Sequence, residues 1–196
     1  MELRRMWHYP QMIVLFAVST AAFALVSLFC SDFTLIPGYS SVRPVNGLPV
    51  TLGLLFGPAG AFGCAAGNVI GDVCRHELNW ASIGGAVGNF LFAWIPYRLW
   101  YVREYRVGRV LPNIFSWQRL GAFCLLSALG AAVCALVVSL SIVLVSGDPF
   151  WDTFGLILGN NLLGAYVVGL PLFAVLPILV NAIGAYWRTI MRRSWE

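Results

Sequence analysis

Three polar side chains stand at helical spacing inside an apolar stretch: Asn68, Asp72 and Arg75, at i, i+4 and i+7. That spacing sets an amide, a carboxylate and a guanidinium along one side of a helix. A Gly-Asn pair recurs at Gly67-Asn68, Gly88-Asn89 and Gly159-Asn160, the last followed by Asn161. Side-chain amides both donate and accept, which suits a heterocycle carrying mixed donors and acceptors. The same amides also suit bonds from helix to helix. Catalytic arrangements are not written into the chain: there is no membrane-embedded Ser/His or paired-Asp set, no H-E-x-x-H and no Walker loop. The expected chemistry is binding, with no enzymatic step, no cofactor and no metal.

These residues need elements that hold them at depth. Across 196 residues, 60% are hydrophobic, 10% are charged and the mean hydropathy is +0.82. Soluble domains carry roughly 25% charged residues, so the composition specifies an integral membrane protein, a single membrane domain over 1–196. All twelve basic residues are arginine and they flank the apolar segments, which is how membrane proteins are oriented and not how nucleic acid is bound. The five cysteines lack metal-ligand spacing and lie mostly within apolar runs as small buried thiols, while Cys30 and Cys74 fall at segment ends on one side, which leaves a pairing between them open.

The expected fold is an all-α bundle of six transmembrane helices with both termini cytoplasmic, spanning about 11–30, 46–56, 59–73, 80–100, 117–146 and 152–187. The apolar run after Pro10 is long enough to span and lacks a small-residue cleavage site, so it reads as a span and not a signal peptide. The apolar block from Asn46 to Val73 is too long for one span and short for two. Charge parity divides it, because Arg4 and Arg5 and the group Arg98, Arg103, Arg106, Arg109 and Arg119 belong on the same side. Gly57-Pro58 is the strongest break, since proline has no N–H to continue a helix and glycine permits reversal. With Arg188, Arg192 and Arg193 also inside, only Arg43 and Arg75 face outward, together with Asp32, Asp72, Glu77, Asp148 and Asp152. Pro171 and Pro177 are expected to bend the last span.

In this topology Asn68, Asn89, Asn160 and Asn161 lie between the outer third and the midplane, where polar side chains face a cavity or another helix. Trp80 and Trp151 begin the fourth and sixth spans, as a cap over a ligand or as belt residues. Gly63, Gly67 and Gly71 form a stripe that admits a close neighbour, and Ala17 to Ala21 makes a small-residue patch on the first span.

The layout resembles the S-component, the substrate-binding membrane subunit, of energy-coupling factor transporters. The resemblance rests on size, span count, the Ala17–Ala21 pattern and the long first outer loop. It rests also on Leu48-Pro-Val-Thr-Leu-Gly-Leu-Leu-Phe-Gly-Pro-Ala-Gly-Ala and the following Gly-Asn-x-x-Gly-Asp. It implies capture of a vitamin or similar micronutrient at the prokaryotic cell membrane, with a transmembrane coupling protein and two cytoplasmic ATPases as partners. It assigns Ala17 and Ala21 to the coupling protein. Arg43, Asn46, Asn68, Asp72, Arg75, Asn89, Trp151, Asn160 and Asn161 fall to the substrate, and the two outer arginines suit an anionic group. Two other classes fit the composition: a membrane scaffold packing against a larger complex, and a solitary ion-coupled carrier.

Overall fold

A computed structural model describes residues 2–30, 33–36, 40–104 and 114–183. Arg106, Arg109, Arg188, Arg192, Arg193 and the end of the sixth expected span, residues 184–187, lie outside these, as do Asp32 and the Pro37-Gly38 turn. A short helix α1 (Glu2–Arg5) and a 3-10 turn (Met6–His8) lead into α2 (Pro10–Phe29). The loop after α2 carries two strands, β1 (Phe33–Ile36) and β2 (Ser40–Val42), paired antiparallel with Phe33 opposite Val42 and an irregularity between Thr34 and Ile36. The bundle is therefore helical with one small hairpin, which lies within the long first outer loop. After a 3-10 turn (Pro44–Gly47) come α3 (Leu48–Phe56), α4 (Pro58–Cys74), α5 (Ala81–Glu104) and α6 (Trp117–Ser146). The last helix is α7 (Phe150–Leu163), a π-helical segment (Gly164–Gly169) and α8 (Leu170–Ile183), without a break.

Among the described residues, three stretches are long and apolar enough to cross a membrane: Pro10–Phe29, Trp117–Ser146 and Phe150–Pro177. α3 is different. Its nine residues rise only about 14 Å, half of a hydrocarbon core, and every residue from Leu48 to Leu55 is buried. One side, Val50, Leu54 and Leu55, packs with Phe92, Phe123 and Phe173. The other, Leu48 and Leu52, packs with Phe23 and Cys64. α3 is the core of the bundle, wrapped by the longer helices.

A short buried helix must have its end groups satisfied by protein. The Tyr101 hydroxyl donates to the Leu54 carbonyl at 3.0 Å, and Gly57 N–H donates to Gly53 O at 2.8 Å. In the first turn of α3 the Thr51 side-chain hydroxyl lies 3.0 Å from both Gly47 O and Gly169 O, a link to the neighbouring segments that involves none of the helix's own N–H groups. The reversal into α4 turns on Gly57, whose φ of 58° and ψ of −129° suit glycine, with the Tyr97 ring closing the space a side chain would need.

Close approach recurs at two seams. Along α4, a Cβ added at Gly63 would lie 2.3 Å from Ser19 Cβ, and one at Gly67 2.7 Å from Phe23 Cβ, so the glycine stripe packs on α2. At the π segment, Leu170 N–H bonds back five residues to Ala165 O. The widening sits just before Pro171, which has no N–H to offer the carbonyl four residues earlier, so the irregularity precedes the proline. It presses Gly164 and Gly169 onto Gly47, where a Cβ would lie 2.6 Å from Gly164 O and 2.7 Å from Gly169 N. Gly47→Ala is expected to destabilise by about 1–3 kcal/mol and to lower the unfolding midpoint in detergent by roughly 5 °C. Gly159→Ala, with nothing within 4 Å of the added Cβ, leaves that midpoint unchanged.

Candidate functional site

The polar residues sort into two groups. The first is a chain of bonds across α2, α4 and α5. Asn89 Nδ2 donates to Asn68 Oδ1 at 3.1 Å and to Gly85 O at 2.9 Å. Asn68 Nδ2 donates to Asp72 Oδ2 at 3.2 Å, and Arg75 Nη2 donates to Asp72 Oδ1 at 2.7 Å. Arg75 continues outward, with Nε on Glu77 Oε2 at 2.8 Å and Nη1 on the Ser27 hydroxyl and on Ser27 O at 3.1 Å. The i, i+4, i+7 stripe is thus a single network whose guanidinium is engaged by two carboxylates and by the last turn of α2. It pins α2 to α4 and α4 to α5.

The second group lies where the 3-10 turn and α3 meet α7. Gly164 closes on Asn46, with a Cβ at Gly164 falling 2.7 Å from Asn46 Cβ. Asn160 precedes Gly164 by one turn, so it lies on the same side of α7. Asn160 is 9% exposed, and its amide has no hydrogen-bond partner among the described residues. The Asn46 amide likewise has no partner among the described residues. Asn161, one position on, points elsewhere: it is buried and donates to Ala131 O of α6 at 3.5 Å.

Of the remaining residues, Arg43 is exposed at the start of the 3-10 turn, in extended conformation. Trp151 is 77% exposed and packs on Phe150 and Phe154 with centroids 5.0 and 6.2 Å away. Ala17 and Ala21 are exposed on the face of α2 that also carries Val14, Val18 and Leu25. Among the described residues no group of three His, Cys, Asp or Glu is poised to hold a metal.

Sequence reading missed the parts that frame the second group, Gly47, Gly164, Gly169 and Thr51. Two glycines five apart diverge by about 140° on an α-helix, and nothing local announced the π segment that lets both meet Gly47. For the first group, Arg75→Ala is expected to cost about 2 kcal/mol, since a charged donor to several acceptors is lost, and to lower the midpoint by roughly 4–8 °C. Arg75→Lys restores only part of that, because one ammonium cannot replace a planar fork. Thermal unfolding of the three proteins side by side checks both statements.

The family model described as QueT transporter matches residues 13–177, from the first turn of α2 into α8. No curated protein and no solved structure matches the chain. The match covers most of the sequence, including both polar groups and all of α3. This membrane-embedded helix bundle belongs to the QueT transporter family, an S-component family of energy-coupling factor transporters.

Proposed function

We propose that the chain is the substrate-capture subunit of an importer whose cargo is a queuosine precursor or a closely related heterocycle. It works with a transmembrane coupling protein and two cytoplasmic ATPases in a prokaryotic cell membrane. The observation that carries this is the family match over residues 13–177, the family being one of queuosine-precursor S-components. In this reading α2, α3, α4, α5, α6 and the joined α7–α8 are the six membrane segments, α3 together with the 3-10 turn before it, with both termini cytoplasmic. The C-terminal ends of α2 and α4 and the N-terminal end of α7 face outward. The arginine distribution supports that orientation, with only Arg43 and Arg75 outside.

Asn46 and Asn160 are the assigned ligand contacts, with Arg43 and Trp151 at the rim. The support is physical. A buried amide left unbonded costs roughly 1–3 kcal/mol, and a heterocycle with facing donors and acceptors removes that cost when it binds. Asn68, Asp72, Arg75, Asn89 and Asn161 are assigned to holding the helices around the site, since their polar groups already have partners. Ala17 and Ala21 are assigned to the coupling protein, because their small side chains leave room on the outer face of α2 for another helix. Membrane lipid covers the rest of the exposed apolar surface.

The test is titration of the purified protein with a queuosine precursor base, alongside native mass spectrometry for a retained small molecule. Saturable binding at one site is expected, weakened about tenfold by Asn160→Ala or Asn46→Ala. Binding unchanged in both variants would move the site elsewhere. A protein that binds no such base and instead leaves the membrane attached to a larger complex would favour a scaffold.

A further inference from the structure

The α2–α4 seam is a parallel pair in constant register. Gly63 faces Ser19, Gly67 faces Phe23 and Gly71 faces Ser27, each pair 44 residues apart. The same offset, one turn further on, joins Cys74 to Cys30. The faces agree as well as the level. Gly63, Gly67, Gly71 and Cys74 follow steps of four, four and three, and Ser19, Phe23, Ser27 and Cys30 follow the same steps. Such spacing keeps Gly63, Gly67, Gly71 and Cys74 on one side of α4 and Ser19, Phe23 and Ser27 on one side of α2, the glycines turned toward α2. Cys30 caps that line of α2, with its N–H still bonded to Val26 O at 3.0 Å.

Separation along the seam widens steadily. The Cβ position at Gly63 is 2.3 Å from Ser19 Cβ, that at Gly67 is 2.7 Å from Phe23 Cβ, and that at Gly71 is 3.5 Å from Ser27 Cβ. Carried on at the last increment, the next facing pair reaches about 4.3 Å, within the upper part of the ~3.5–4.5 Å Cβ separation of a disulfide. The Arg75 guanidinium, bonded to both the hydroxyl and the carbonyl of Ser27, holds the two helix ends together at this level. Both thiols are free and exposed, whereas Cys64 and Cys134 are buried.

We propose that Cys30 and Cys74 are a modification site, oxidised to a disulfide that staples the outward ends of α2 and α4. The proposal rests on the orientation given under Proposed function, because that end must face an oxidising side. The oxidant is a disulfide-bearing carrier. One cysteine thiolate attacks the carrier's disulfide to form a mixed disulfide, and the other attacks the bonded protein sulfur and releases the carrier as a dithiol. Two electrons and two protons pass to the carrier, and one S–S bond is exchanged for another.

The experiment is alkylation of the full-length protein in intact cells with a membrane-impermeant maleimide, before and after a reductant, read by peptide mass spectrometry. Neither cysteine is expected to react before reduction and both after it, with a crosslinked Cys30–Cys74 peptide in the unreduced digest. In Cys30→Ala, Cys74 is expected to react without reductant, and the converse holds for Cys74→Ala. Both thiols reacting in the unreduced native protein would overturn the pairing while leaving the orientation intact. Protection of Cys74 in Cys30→Ala would trace it to burial and also overturn the pairing. Reaction only after the cells are permeabilised would overturn the orientation, and the pairing with it.

Discussion

The constraint on which the rest of the structure depends is the burial of a half-length helix. α3 carries backbone groups at both ends that water cannot reach, and in a membrane protein each such group left unpaired is costly. The longer helices are arranged around that need. Tyr101 on α5 satisfies a carbonyl in the last turn of α3, and the Thr51 side-chain hydroxyl in its first turn lies 3.0 Å from the Gly169 carbonyl of the π segment, which ties α3 to the final helix. The apolar side chains of α3 then serve two surroundings at once, Phe92, Phe123 and Phe173 on one side and Phe23 with Cys64 on the other. The fold is organised from the inside outward.

That arrangement separates two tasks that the polar residues first suggested were one. A guanidinium shared among Asp72, Glu77 and Ser27 is spent on cohesion between α2 and α4. The buried Asn160 amide makes no such bond among the described residues. Neighbouring positions on a helix diverge by about 100°, which is why Asn161 crosses to α6 while Asn160 does not. In the function proposed above, the difference between holding the helices and binding the ligand is a difference of direction.

Much of this could be read from residues alone where the cause is local. Gly57-Pro58 specifies a break because glycine and proline act on their own backbone, and α3 and α4 meet there. The glycine stripe of α4 was visible as a packing surface, but its partner was not, since which helix arrives is decided by the whole bundle. The hairpin could have been found: Phe33-Thr-Leu-Ile36 and Ser40-Ser-Val42 flank Pro37-Gly38, a pattern of β-prone runs about a turn. Nothing comparable marked the π segment, whose cause is shared between Pro171 and the glycines it must bring to Gly47. The role of Arg75 was hidden for a similar reason, because Ser27 lies 48 residues away in the chain.

The contact among Gly47, Gly164 and Gly169 has a consequence for how such a chain can change over generations. Backbone meets backbone there, so a methyl gained at one position cannot be offset by trimming a side chain at another, as neighbours in an ordinary core allow. The three positions lack compensating partners and are held individually, while Gly155 and Gly159, with open space before them, are free to drift. The innermost seam is the part of the molecule with the fewest evolutionary exits, and the variation that tunes one importer to its cargo must be found around it.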